Sequence, residues 1–156
     1  MGAVTGLALS NDDELLYRQV HPGFVRDGRV TSQAFRPTPK DDGQLSVALG
    51  SLTNAAQAYV HHVIALGLKS AGTFAVSVGE CRAEELLAYP QPLTAPPEPV
   101  ADPAHGFLDF RHFSKAKAEA IGARLARRAV ERGCLYRVPV GDDHGGARGA
   151  GPGGAV

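Results

Sequence analysis

A chain of 156 residues has the size of one domain and is long enough to enclose a single modest hydrophobic core. Sixteen basic residues against sixteen acidic ones exclude a dominant electrostatic pull toward nucleic acid or anionic lipid, so any basic surface is local. No charged leader precedes an apolar run, and nowhere do about eighteen apolar residues follow one another, so neither export nor membrane anchoring is expected and the chain reads as cytoplasmic.

Residues 1–13 mix glycine, small residues and acids without periodicity and are expected as a flexible lead-in. Residues 15–20, rich in strand formers and closed by His21-Pro22-Gly23, form the first expected strand. The turn dipeptide Asp27-Gly28 leads to a short extended piece over 30–35, and the loop 36–44 brings the chain to a third strand at 45–49. Thr53 or Asn54 can cap a helix that runs to about 66 and stops at Gly67. Its apolar arc is Ala55, Ala56, Tyr59, Val60, Val63 and Ile64, with His61 nearly opposite and His62 on the flank.

Residues 73–78, dense in β-branched and aromatic side chains, give the clearest strand, and a short helix over 81–88 is expected after it. Six prolines between 90 and 103 read as a polyproline-like connector. Residues 107–110 form a further strand. Ser114 caps a long helix that stops at Gly133, with Ala118, Ile121, Gly122, Leu125 and Ala129 as its buried stripe, and 134–138 reads as a last strand. The glycine-rich run 141–156 is expected as a disordered tail, which bounds a single domain at 14–140. Because the elements do not repeat as βαβ units, the expected fold is α+β, a small mixed or antiparallel sheet with two main helices. Cys81 and Cys134 lie far apart without the paired spacing of a zinc or redox site, so free thiols are expected.

Polar side chains are densest between 21 and 46, at strand ends and in loops, where a scaffold fixes groups that solvent can reach. Ser32, Gln33, Lys40 and Asp41 are the candidate ligand-binding groups; the competing account is that they close their own turns. The block Tyr17-Arg18, His21-Pro22, Ser32-Gln33-Ala34-Phe35, Pro37-Thr38, Lys40-Asp41 and Leu45-Ser46-Val47, with Leu135-Tyr136-Arg137 near the end, resembles a group of small uncharacterised bacterial proteins. The resemblance implies a bacterial cytoplasmic protein and transfers no catalytic residue. A second likeness, to ADP-ribosyltransferase-type toxins, lies in Leu16-Tyr17-Arg18 with His21, Ser46 and Glu80. It implies that Arg18 or His21 holds NAD, with Ser46 on the next strand and Glu80 polarising the ribose as nicotinamide leaves, in a toxin or defence system. The chain departs from that pattern in lacking a paired-acid motif and a serine-threonine-serine strand.

Adjacent His61 and His62 project about a hundred degrees apart on a helix and cannot easily share one ion. His105 and Asp109 share a strand face that His112 does not join, so no metal site is expected. Ser32, Ser46 and Ser77 have no Gly-x-Ser-x-Gly elbow. On the last helix Lys117, Arg124, Arg127 and Arg128 form a basic arc beside the apolar stripe, a contact surface for a protein partner. Two functions follow. One is a small accessory or interaction protein without a cofactor, using that arc and the proline loop. The other is a small transferase or hydrolase, of the NAD-dependent type under the second likeness, with Arg18, His21, Ser46 and Glu80 as catalytic groups.

Overall fold

The computed structural model describes residues 6–138; the tail expected over 141–156 lies outside the described residues. Strand β1 (Leu15–Gln19) is followed by a hairpin of β2 (Val25–Arg26) and β3 (Arg29–Val30). Asp27 and Gly28 turn it with φ of 53° and 77°, the pair of left-handed residues that a tight hairpin turn demands. The extended piece expected over 30–35 is shorter. After β3 the chain coils into a 3-10 turn, Ser32–Phe35, because this places Ala34 and Phe35 in the core. A second such turn, Pro39–Asp41, is closed by the Thr38 and Asp41 side chains.

Strand β4 (Gln44–Leu49) leads to α1 (Ala55–Val60), whose first turn is capped by the Asn54 side chain accepting from the Gln57 N–H at 2.9 Å. The helix continues as a π-helical stretch, His61–Ala65. The wider winding rotates the following side chains away from the arc that a 3.6-residue period gives. Ala58 and Tyr59 are buried, whereas Ile64, expected inside, is 73% exposed, and Val60, expected inside but placed before the winding changes, is 48% exposed.

Strand β5 (Thr73–Ser77) runs straight into α2 (Val78–Arg82), earlier than the helix expected over 81–88. Ser77 and Glu80 form a capping box at its start, the signal that sets a helix N-terminus. Residues of the expected helix instead enter β6 (Leu87–Pro90). After the proline segment come β7 (His105–Asp109) and α3 (Lys115–Arg132), capped by Ser114. Residues 134–138 form no strand; they make one bridge, Thr73 to Tyr136, because the chain leaving Gly133 meets only the first residue of β5.

The fold is α+β. Its sheet is antiparallel throughout, in the order β5-β1-β4-β7-β6. Leu16, Leu45, Val47, Leu49, Val76 and Leu108 alternate onto one face, which Ile121, Leu125 and Ala129 of α3 cover. Gly122 lets α3 settle on the 32–35 turn, since a Cβ there would stand 3.0 Å from the Ser32 carbonyl oxygen. At the outer margin of β6 the Leu9 N–H donates to the Ala88 carbonyl at 2.8 Å, and Leu9 packs on the core. Part of the expected lead-in is thus joined to the sheet. Beside β5, Thr73 exchanges hydrogen bonds with Leu135 and Tyr136, each 2.8 Å.

The second face of the sheet is covered only in part, by α1 over β1 and β5. Strand β1 pairs with β4 through Leu16 and Tyr17 alone. Beyond them the strands separate, and Arg18 spans the gap, its Nε donating to the Ala34 carbonyl at 2.8 Å and its Nη1 to the Ser46 carbonyl at 3.0 Å. Among the described residues no helix is long and apolar enough to cross a membrane.

Candidate functional site

The part-covered face opens into a cleft of about 340 Å³. Tyr17, Gln19, Ser46, Ala48 and His105 form its floor, the His61 and His62 turn one wall, and the proline segment from Leu93 to Asp102 the other. The volume falls in the range of small-molecule pockets. A π-helical stretch is a costly irregularity that recurs at functional sites, and here it supplies two of the cleft's imidazoles.

The register of the sheet makes the central contact. Ala48 lies opposite His105 and Ser46 opposite Phe107, so Ser46 and His105 are diagonal neighbours on one face, within reach of a long side chain. His105 Nε2 is 3.1 Å from Ser46 Oγ, and its Nδ1 is 3.0 Å from the Gln91 carbonyl oxygen. A carbonyl can only accept, so Nδ1 carries the proton and Nε2 is left as the acceptor for the serine hydroxyl. Across the cleft His61 Nε2 lies 3.5 Å from an Asp102 carboxylate oxygen, which ties the helical wall to the proline wall.

Electrostatically the floor near β1 is positive. Burial lowers Arg18 to about 10, opposed by the charge of Asp41, so the guanidinium remains charged at neutral pH. Burial also lowers His62; a bond to the Lys69 carbonyl opposes this, and the charges of Arg18, His61 and His21 add to it.

Of the residues expected to form a site, Arg18 and Ser46 meet at this cleft. His21 turns back on its own loop, where Nδ1 accepts from the Gly23 N–H at 2.9 Å. Asp41 is held by Thr38, Lys40 is exposed, and Ser32 opens the 3-10 turn beneath α3. Gln33 lines a separate, larger cavity of about 570 Å³ at the start of α3. There Arg36 pairs with Glu119 at 2.9 Å and Arg111 with Asp109, outside the cavity, at 2.8 Å, although Arg36 Nε is buried without a partner among the described residues.

Glu80 lines neither cavity. Burial would raise its carboxyl, but bonds from Arg132 and the Ser77 N–H, with the charges of Arg132 and Arg128, hold it below the usual range. Glu80 therefore stands apart from Arg18 and Ser46, which line the cleft. The described residues do not bring three histidine, cysteine or acidic side chains into a metal-binding group.

Nothing in the residue pattern links His105 to Ser46, 59 residues away, or marks the proline connector as the source of both the Gln91 carbonyl and Asp102. No family model, no curated protein and no solved structure matches this chain.

Proposed function

We propose that the chain is a small enzyme of the hydrolase or acyl-transferase type, with Ser46 as nucleophile and His105 as its base. The observation that carries this reading is the Ser46–His105–Gln91 arrangement, in which the orienting carbonyl leaves the basic nitrogen facing the hydroxyl. Ser46 Oγ forms a bond to an acyl carbon as its proton passes to Nε2, and the carbonyl π electrons move to the oxygen. The resulting imidazolium keeps its Nδ1–H on Gln91. When the tetrahedral carbon collapses, the leaving group departs with the proton held on Nε2. The reading keeps Arg18 and Ser46 from the sequence expectation and replaces His21 and Glu80 with His105.

The alternative, an accessory protein that meets an acidic partner through α3, has less support. Arg124 pairs with Glu84 at 2.8 Å and Arg128 lies 3.9 Å from Glu80, so half of the basic arc is already engaged. A bacterial cytoplasmic setting accords with both readings and with Cys81 and Cys134 as free thiols.

Reaction of the full chain with a fluorophosphonate probe tests the proposal. Attack by Ser46 forms the serine–phosphorus bond and expels fluoride, and peptide mapping is expected to place the adduct on Ser46. His105→Ala should slow labelling by about 10²–10⁴-fold, the usual contribution of a positioned base. Absence of an adduct at Ser46, or labelling indifferent to His105, would refute the assignment.

A further inference from the structure

We infer that the floor of the cleft, where β1 and β4 separate, receives the phosphoryl group of a small soluble phosphate ester, anchored by Arg18 and His62. The inference rests on the cleft being the ligand site, and adds to it the class of ligand.

Arg18 has no carboxylate within ion-pair distance among the described residues; its two contacts are backbone carbonyls, Ala34 and Ser46. Enclosed guanidinium groups are ordinarily matched by an anion, and they bind phosphate oxygens through paired N–H groups. Nη2 makes no hydrogen bond to another described residue, and Arg18 lines the cleft. The carboxylate whose charge acts on Arg18 is Asp41, which Thr38 holds in its own turn. Of the two carboxylates in the cleft wall, Asp102 is engaged by His61 and Glu98 stands on the proline segment.

His62 adds a second donor from a different element once a bound anion holds its ring protonated, since the neutral ring spends its one N–H on the Lys69 carbonyl. One ring nitrogen lies 3.2 Å from the Lys69 carbonyl, and the other has no partner among the described residues. Arg18, His61 and His21 all repel its protonated form, so a dianion at this position would relieve the repulsion. The guanidinium offers paired N–H groups that match phosphate oxygens, and His62 reaches the same cleft from a second element, the π-helical turn. Leu66, Leu68, Leu93 and Val100 supply apolar lining for the rest of the ligand.

The full chain is titrated with inorganic phosphate at constant ionic strength while the histidine ring signals are followed by NMR. Phosphate is expected to shift His62 saturably and to raise its titration midpoint, whereas chloride and acetate do neither. Arg18→Lys should weaken phosphate binding by at least about tenfold. Because Arg18 also ties Ala34 and Ser46, His62→Gln is measured beside it and should weaken binding severalfold. The titration reads binding without any reaction at Ser46, so failure of the nucleophile assignment, seen as absence of the fluorophosphonate adduct, is read apart from failure of this one. Glycerol phosphate should compete with inorganic phosphate, and vesicles containing phosphatidic acid should not. Shifts that do not saturate, an equal response to chloride, unchanged affinity in both variants, or competition by the vesicles alone would overturn the inference.

Discussion

Leu125 and Ile121, exposed by 1% and 0%, sit at the centre of the face that α3 turns to the sheet. Leu125→Ala removes methyl groups from a packed site and should cost about 2–5 kcal/mol in denaturant unfolding; a change below about half a kcal/mol would contradict this helix orientation. Glu80 makes a different kind of contribution, because its bonds to Arg132 and Ser77 favour the charged form against burial. A carboxyl whose folded pKa lies below its unfolded one stabilises the fold above the unfolded value, and that stabilisation is lost as pH falls through the folded value. Stability should therefore decline below about pH 4.5, and Glu80→Gln should flatten the decline while lowering stability at neutral pH. Thermal unfolding across pH 3 to 7, read as roughly a shift of a few degrees per kcal/mol, checks this; parallel curves for the two proteins would count against it. Cys81 illustrates how enclosure silences a reactive group: burial beside Glu80 and Glu84 pushes its thiol up to about 12, so it stays protonated and inert.

Among the elements, α3 was legible because three independent signals agree, the Ser114 cap, the apolar stripe and the Gly133 stop. The face of α1 was not. Its pattern is regular over Ala55 to Ile64, and nothing in it announces the change of winding at His61. The site was half legible: Arg18 and Ser46 lie in the polar block, whereas His105 reaches Ser46 only through the register of β4 with β7, which pairing alone decides. That register is also tightly fitted. A Cβ on Gly106 would stand 2.6 Å from Leu49 Cδ2 and 2.7 Å from the Tyr89 carbonyl oxygen, so Gly106→Ala must push β6 or β4 aside. We expect a loss of about 1–3 kcal/mol, accompanied by slower fluorophosphonate labelling as His105 moves from Ser46. An unperturbed stability and labelling rate would show that the β6–β7–β4 packing yields more freely than described.

At the scale of the whole molecule, an antiparallel sheet of five strands has two margins, and here each is met by a segment from near one end of the chain. Leu9 takes the Ala88 carbonyl on β6, and Leu135 with Tyr136 takes both hydrogen-bonding groups of Thr73 on β5. The remainder of β6 ends in Pro90, which has no N–H to offer a neighbour. The consequence concerns solutions of many copies rather than the single fold. An uncovered strand margin is a template on which another chain can add, and these segments deny it that template. Removing residues 1–10 should leave the cleft chemistry in place but uncover the Ala88 carbonyl and take Leu9 off the core. The shortened protein should then form β-rich polymers as its concentration rises, detectable by light scattering and thioflavin fluorescence, whereas the full chain stays dispersed. Equal dispersal of the two would mean that Pro90 alone is sufficient to keep neighbouring molecules apart.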